Sequence, residues 1–115
     1  MSKKILICDD EEGIRESLRL ILGDHHELVL TDHAEQCLEC LKNDPGIDIV
    51  LLDIKMPKIH GLDLLKEIKE KYPNKKAIVI TGYKSVETAS EAARLGADGY
   101  IVKPFESSEI INKLK

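Results

Sequence analysis

Residues 5–22 read ILICDDEEGIRESLRLIL. The stretch opens with four apolar residues, Ile5–Cys8, without polar alternation. Such a run suits a strand buried on both faces. It turns acidic at Asp9-Asp10-Glu11-Glu12. Beyond that, Ile14, Leu18, Ile21 and Leu22 share one helical face, and Gly23-Asp24 breaks the pattern. A buried strand, a short link and an amphipathic helix make one βα unit.

The rest of the chain repeats this unit. Further apolar runs lie at Leu28–Leu30, Ile49–Leu52, Ala77–Ile80 and Tyr100–Val102. Helical spacing follows each: Ala34, Cys37, Leu38 and Leu41; Leu62, Leu65 and Ile68; Val86, Ala89 and Ala93; Ile110, Ile111 and Leu114. Breakers close the helices at Asn43-Asp44-Pro45-Gly46, Tyr72-Pro73-Asn74 and Gly96. Strand, helix, strand with short links gives a parallel sheet with helices on both faces. The expected class is α/β, a doubly wound (βα)5 three-layer sandwich with strand order 2-1-3-4-5. The 115 residues fit a single domain spanning 1–115. The fifth helix reaches barely two turns before Lys115, short for its role, which leaves open both an N-terminal fragment of a longer protein and a complete chain that docks to a partner.

Composition narrows the function. With 17 basic and 21 acidic residues the net charge is -4, which gives no electrostatic footprint for nucleic acid. No apolar run approaches the ~20 residues of a membrane span. The four-residue run after Met1-Ser2-Lys3-Lys4 is too short for a signal peptide. The expected address is the cytoplasm, where cysteines stay reduced.

The polar residues at the strand ends carry the chemistry. Asp9 and Asp10 follow the first strand, Asp53 the third, Thr81-Gly82 the fourth and Lys103-Pro104 the fifth. In an open parallel sheet these ends share one edge, and ligands bind where strand order reverses, here between strands one and three. Two carboxylates ~4 Å apart repel by about 4 kcal/mol at an effective dielectric of about 20. Asp9, Asp10 and Asp53 therefore call for a cation or for protons. Oxygen donors alone favour a hard divalent ion, Mg²⁺ first, with Mn²⁺ as the alternative. A carboxylate beside such an ion can attack phosphorus, with Lys103 offsetting oxygen charge and Thr81 donating a hydrogen bond.

The same residues resemble the receiver domains of bacterial two-component response regulators over essentially the whole chain. The matching stretches are Ile5–Glu11, Leu51–Pro57 with Gly61, Ile80–Gly82 and Gly99–Phe105. The resemblance implies a flavodoxin-like fold. It implies a signalling switch rather than a turnover enzyme, with Asp53 as phospho-acceptor from a sensor histidine kinase or phosphotransfer protein. The backbone carbonyl of Lys55 joins Asp9, Asp10 and Asp53 around the metal. Thr81 and Tyr100 become the switch, and the face of the fourth helix, fifth strand and fifth helix controls an output domain, a partner or a homodimer. Lys55 and Tyr83 take positions that tune loss of the phosphoryl group, where a lysine and an aromatic can shield it from water. His60 stands where an acidic residue is frequent, and the Lys103–Pro104 peptide is expected to be cis. Residues 81–89 also resemble receivers of the nitrogen-regulation activator class.

Plainer readings stand beside these. Asp9-Asp10 suits a helix N-terminus, and Cys37-Leu38-Glu39-Cys40 places Cys37 on a core stripe rather than in a redox motif. A haloacid-dehalogenase-like enzyme wants Asp-x-Asp on its first strand, where this chain has Glu11 in third place. A phosphorylation-independent receiver usually lacks one acidic residue or the lysine, and this chain keeps them all.

Overall fold

The computed structural model describes residues 2–55 and 61–114. Met56, Pro57 and His60, part of the sequence reading, lie outside the described residues. Among the described residues ten elements alternate without exception: β1 (Lys4–Cys8), α1 (Glu12–Leu22), β2 (Glu27–Thr31), α2 (Ala34–Asn43), β3 (Ile49–Leu52), α3 (Gly61–Lys71), β4 (Lys76–Thr81), α4 (Val86–Arg94), β5 (Gly99–Val102) and α5 (Ser107–Leu114). All strand pairs are parallel and the order is β2-β1-β3-β4-β5, as expected from the sequence. No described helix is long and apolar enough to cross a membrane.

The period of two along each strand divides the core. Leu6, Cys8, Val50, Leu52, Ala77 and Val79 face α2, α3 and α4, against Cys37, Leu41, Leu65, Ile68 and Ala92. Their neighbours Ile5, Ile7, Ile49, Leu51, Ile78 and Ile80 face α1 and α5, against Leu18, Leu22, Ile110 and Leu114. This is why the runs show no polar alternation: both faces of the sheet are covered. Cys8 and Cys37 are fully buried within the first of these layers, while Cys40 lies half-buried at its edge.

Two helices sit differently from their sequence stripes. In α4, Val86 is 78% exposed and Ala93 is exposed, while Ala92 is buried. Ala92 and Leu95 pack on the core and Ala89 is half-buried, so the stripe is displaced from Val86 and Ala93, because small side chains read as apolar on either face. In α5, Ile111 turns outward at 41% exposure beside buried Ile110 and Leu114. The ends of α4 follow local chemistry. Ser85 Oγ accepts from the Thr88 amide at 3.0 Å, a side-chain N-cap. At the other end Gly96 takes φ +102°. Its amide reaches Ala93 O and that of Ala97 reaches Ala92 O, both at 3.0 Å, which is a Schellman closure.

Candidate functional site

The site grows from ladder bonds that run one step past the strands. The Asp9 amide donates to Thr31 O (3.1 Å), and the Asp53 amide to Cys8 O (3.0 Å). These bonds set Asp9 and Asp53 side by side where the strand order reverses. The Lys103 amide donates to Thr81 O (2.8 Å), which brings the end of β5 onto the same edge. The Lys103–Pro104 peptide is cis, as the resemblance implied.

The carboxylates of Asp9, Asp10, Glu11 and Asp53 offer oxygens that all lie within 4.8 Å of one another. Lys103 Nζ sits among them, 2.9 Å from Asp9 Oδ2, 2.8 Å from Glu11 Oε1 and 2.9 Å from Asp53 Oδ2. Asp9 and Asp53 are buried, whereas Asp10 and Glu11 are exposed. Burial pushes the Asp9 carboxyl above the usual carboxylate range, against the pull of Lys103 and the Glu11 amide. Burial works against the charge on Lys103 too, but its hydrogen bonds to Asp9, Glu11 and Asp53 outweigh it and raise its pKa. Four carboxylates face one ammonium, and every donor in the set is oxygen. That donor set fits a hard divalent cation such as Mg²⁺ and offers nothing to a soft one.

The remaining oxygens of the two buried aspartates point at backbone. Asp9 Oδ1 accepts from the Glu11 amide (2.9 Å) and Asp53 Oδ1 from the Lys55 amide (2.8 Å). Thr81 is fully buried, and its Oγ1 accepts from the Tyr83 amide at 3.4 Å. Tyr100 is half-buried against the α2–α3–α4 side of the core, and its hydroxyl donates to Tyr83 O at 2.9 Å. Lys55 Nζ stands 5.4 Å from the Tyr83 ring centroid, a cation–π contact. Asp53, Lys55, Tyr83 and Tyr100 thus form a continuous chain of contacts away from the edge.

Asp9, Asp10, Asp53 and Lys103, singled out in the sequence, converge, and Lys55, Thr81, Tyr83 and Tyr100 are joined to Asp53 or to one another by the contacts above. Two contacts were missed in sequence. Glu11 joins the carboxylate cluster, and Arg15 Nη1 donates to Asp9 O at 2.8 Å. The signal for Glu11 was its place at the N-cap of α1, where a glutamate is not a favoured cap. Arg15 carried no signal beyond one turn of helix from Glu11.

A family model described as the response regulator receiver domain matches residues 5–115. The chain belongs to that family. Among the receiver's relatives, response regulator protein FleR of Pseudomonas aeruginosa is 38% identical over 114 residues, covering 97% of this chain but 24% of FleR. Chemotaxis protein CheY of Halobacterium salinarum is 36% identical over 118 residues, covering 99% of this chain and 95% of CheY. A CheY-like receiver domain protein from Methanospirillum hungatei superimposes with a TM-score of 0.91 at 33% identity, covering 99% of this chain and 91% of that one. The receiver therefore spans about a quarter of FleR, though nearly the whole of CheY.

Proposed function

We propose that this receiver takes a phosphoryl group onto Asp53 from the phosphohistidine of a sensor histidine kinase or phosphotransfer protein, and that the modification switches its α4–β5–α5 face. The observation that carries the reading is Asp53, buried, holding Lys103 Nζ at 2.9 Å inside a cluster of four carboxylates. An Asp53 oxygen attacks phosphorus, the P–N bond breaks, and the imidazole nitrogen keeps the electron pair and takes up a proton. Asp9, Asp10, Asp53 and the Lys55 carbonyl would hold Mg²⁺ or Mn²⁺, which supplies charge neutralisation at the phosphoryl oxygens.

The protein's own groups do the rest. Lys103 pairs with one phosphoryl oxygen and the Thr81 hydroxyl donates to another. Thr81 Oγ1 and the Tyr83 amide are joined, and Tyr83 O holds the Tyr100 hydroxyl, so movement of Thr81 reaches Tyr100 through Tyr83. A 100-fold population shift needs about 2.7 kcal/mol, within reach of a few charge-assisted hydrogen bonds. Lys55 over the Tyr83 ring screens the acyl phosphate from water and lengthens its life. The receiver's output is an attached domain, a partner protein or a second receiver, and not direct contact with nucleic acid. The free thiols of Cys8, Cys37 and Cys40 fit the cytoplasm.

Incubation with acetyl phosphate and Mg²⁺, followed by intact mass, tests the acceptor. One phosphoryl group is expected in the wild type, none in Asp53→Asn and none after prior chelation. Absence of both label and Mg²⁺ binding in the wild type would overturn the reading in favour of a phosphorylation-independent receiver.

A further inference from the structure

We propose that Glu11 is a built-in competitor of the phosphoryl group: it occupies the Lys103 donor that the incoming phosphoryl oxygen must take, and so sets how readily Asp53 is loaded. The inference rests on the acceptor reading above and adds a positioning residue to it.

An ammonium has three N–H bonds. Lys103 Nζ has three carboxylate oxygens at 2.8–2.9 Å, one each from Asp9, Glu11 and Asp53. Glu11 and Asp53 accept hydrogen bonds and Asp9 closes the third side as an ion pair, so a phosphoryl oxygen reaching the ammonium has to displace one carboxylate. The Asp9 and Asp53 side chains are 3% and 2% exposed, so neither can turn out to water, and Asp53 keeps its charge until the new P–O bond forms. The Glu11 side chain is 59% exposed and can return to water, where an ion pair of this kind is worth little. Glu11 is therefore the partner that leaves.

A second observation shows what the side chain is not doing. Glu11 is the N-cap of α1, with extended backbone (φ -90°, ψ 113°), yet its side chain makes no capping hydrogen bond. Its amide is fixed by Asp9 Oδ1, and its carboxylate reaches Lys103, 92 residues away, instead of the helix end. The contact thus belongs to the site rather than to α1.

Glu11→Gln and Glu11→Asp separate the contact from the charge, since aspartate keeps the charge but is one methylene too short to reach. At saturating Mg²⁺, the acetyl phosphate concentration giving half-maximal labelling is expected to fall about five-fold in both variants, with the maximal rate unchanged. In metal-free protein the Lys103 Cε resonance is expected to shift in both. Equal half-saturation in wild type and variants would overturn the role of Glu11 and leave the acceptor reading standing. A shift in Glu11→Gln alone would reduce the effect to general charge and overturn the contact. A ten-fold loss of Mg²⁺ affinity by calorimetry in Glu11→Asp would make Glu11 a metal ligand instead. No label and no Mg²⁺ binding in any of the three proteins would overturn the acceptor reading, and this one with it.

Discussion

Lys103 is the residue on which the site's electrostatics turn. It is the ammonium that Asp9, Glu11 and Asp53 share, and two of those three are buried. Lys103→Met removes it and leaves the carboxylates facing one another. Removing one partner of a buried ion pair leaves an uncompensated charge. A loss of about 2 kcal/mol is expected in metal-free buffer at pH 8, measured by urea unfolding and reduced by added Mg²⁺. Asp9 gives a separate test with a definite sign. Its folded-state pKa is raised from the ordinary 3.8, chiefly by burial. The folded protein therefore binds this proton more tightly than the unfolded chain, and the group's contribution to stability falls as pH rises from about 4 through the folded value. Asp9→Asn should lose that dependence, so the stability of the variant minus that of the wild type should grow more positive over this range. A difference that stays flat or falls would contradict it.

At the level of the element, the strands were nearly transparent in sequence and the helices less so. Ile49–Leu52 is β3 to the residue, and the other four strands gain only a residue or two at their ends. Strands buried on both faces announce themselves because every position is apolar. α4 misled because Val86, Ala89 and Ala93 are apolar without being large, so their spacing does not fix which face turns in. The Glu11–Lys103 contact spans almost the whole chain, and no local pattern encodes it. Its partners were visible only as residues left over at strand ends. Gly61, the first residue of α3, was noticed for its resemblance alone, and the structure supplies the reason. A Cβ there would collide with the Cα and carbonyl oxygen of Ile54, which cannot move aside as a side chain would. Gly61→Ala should therefore cost about 3 kcal/mol, read as a drop in the urea midpoint with the slope unchanged.

The molecule as a whole holds a concentrated negative charge on one edge of an otherwise well-packed sheet. Such a site is destabilised until a cation fills it, so ligand and fold are linked. Mg²⁺ at about a hundred times its dissociation constant should add ~2.7 kcal/mol and raise Tm by roughly 10 °C. Scanning calorimetry with and without chelator reads this directly, and Asp53→Asn should blunt the gain. A Tm indifferent to Mg²⁺ would argue against a divalent site at this edge.

The three thiols give the fold its own clock. Cys40 is half-buried, while Cys8 on β1 and Cys37 on α2 are sealed between helix and sheet. The hydrogen bond to Cys8 and burial push the Cys37 thiol up, away from the reactive thiolate. An alkylating reagent should therefore mark Cys40 first and reach the other two only when α2 lifts from the sheet. The slow phase then measures the free energy of that local opening. Because Cys8 immediately precedes Asp9, the same labelling curve reports how firmly a ligand at the acidic edge holds the neighbouring layer shut.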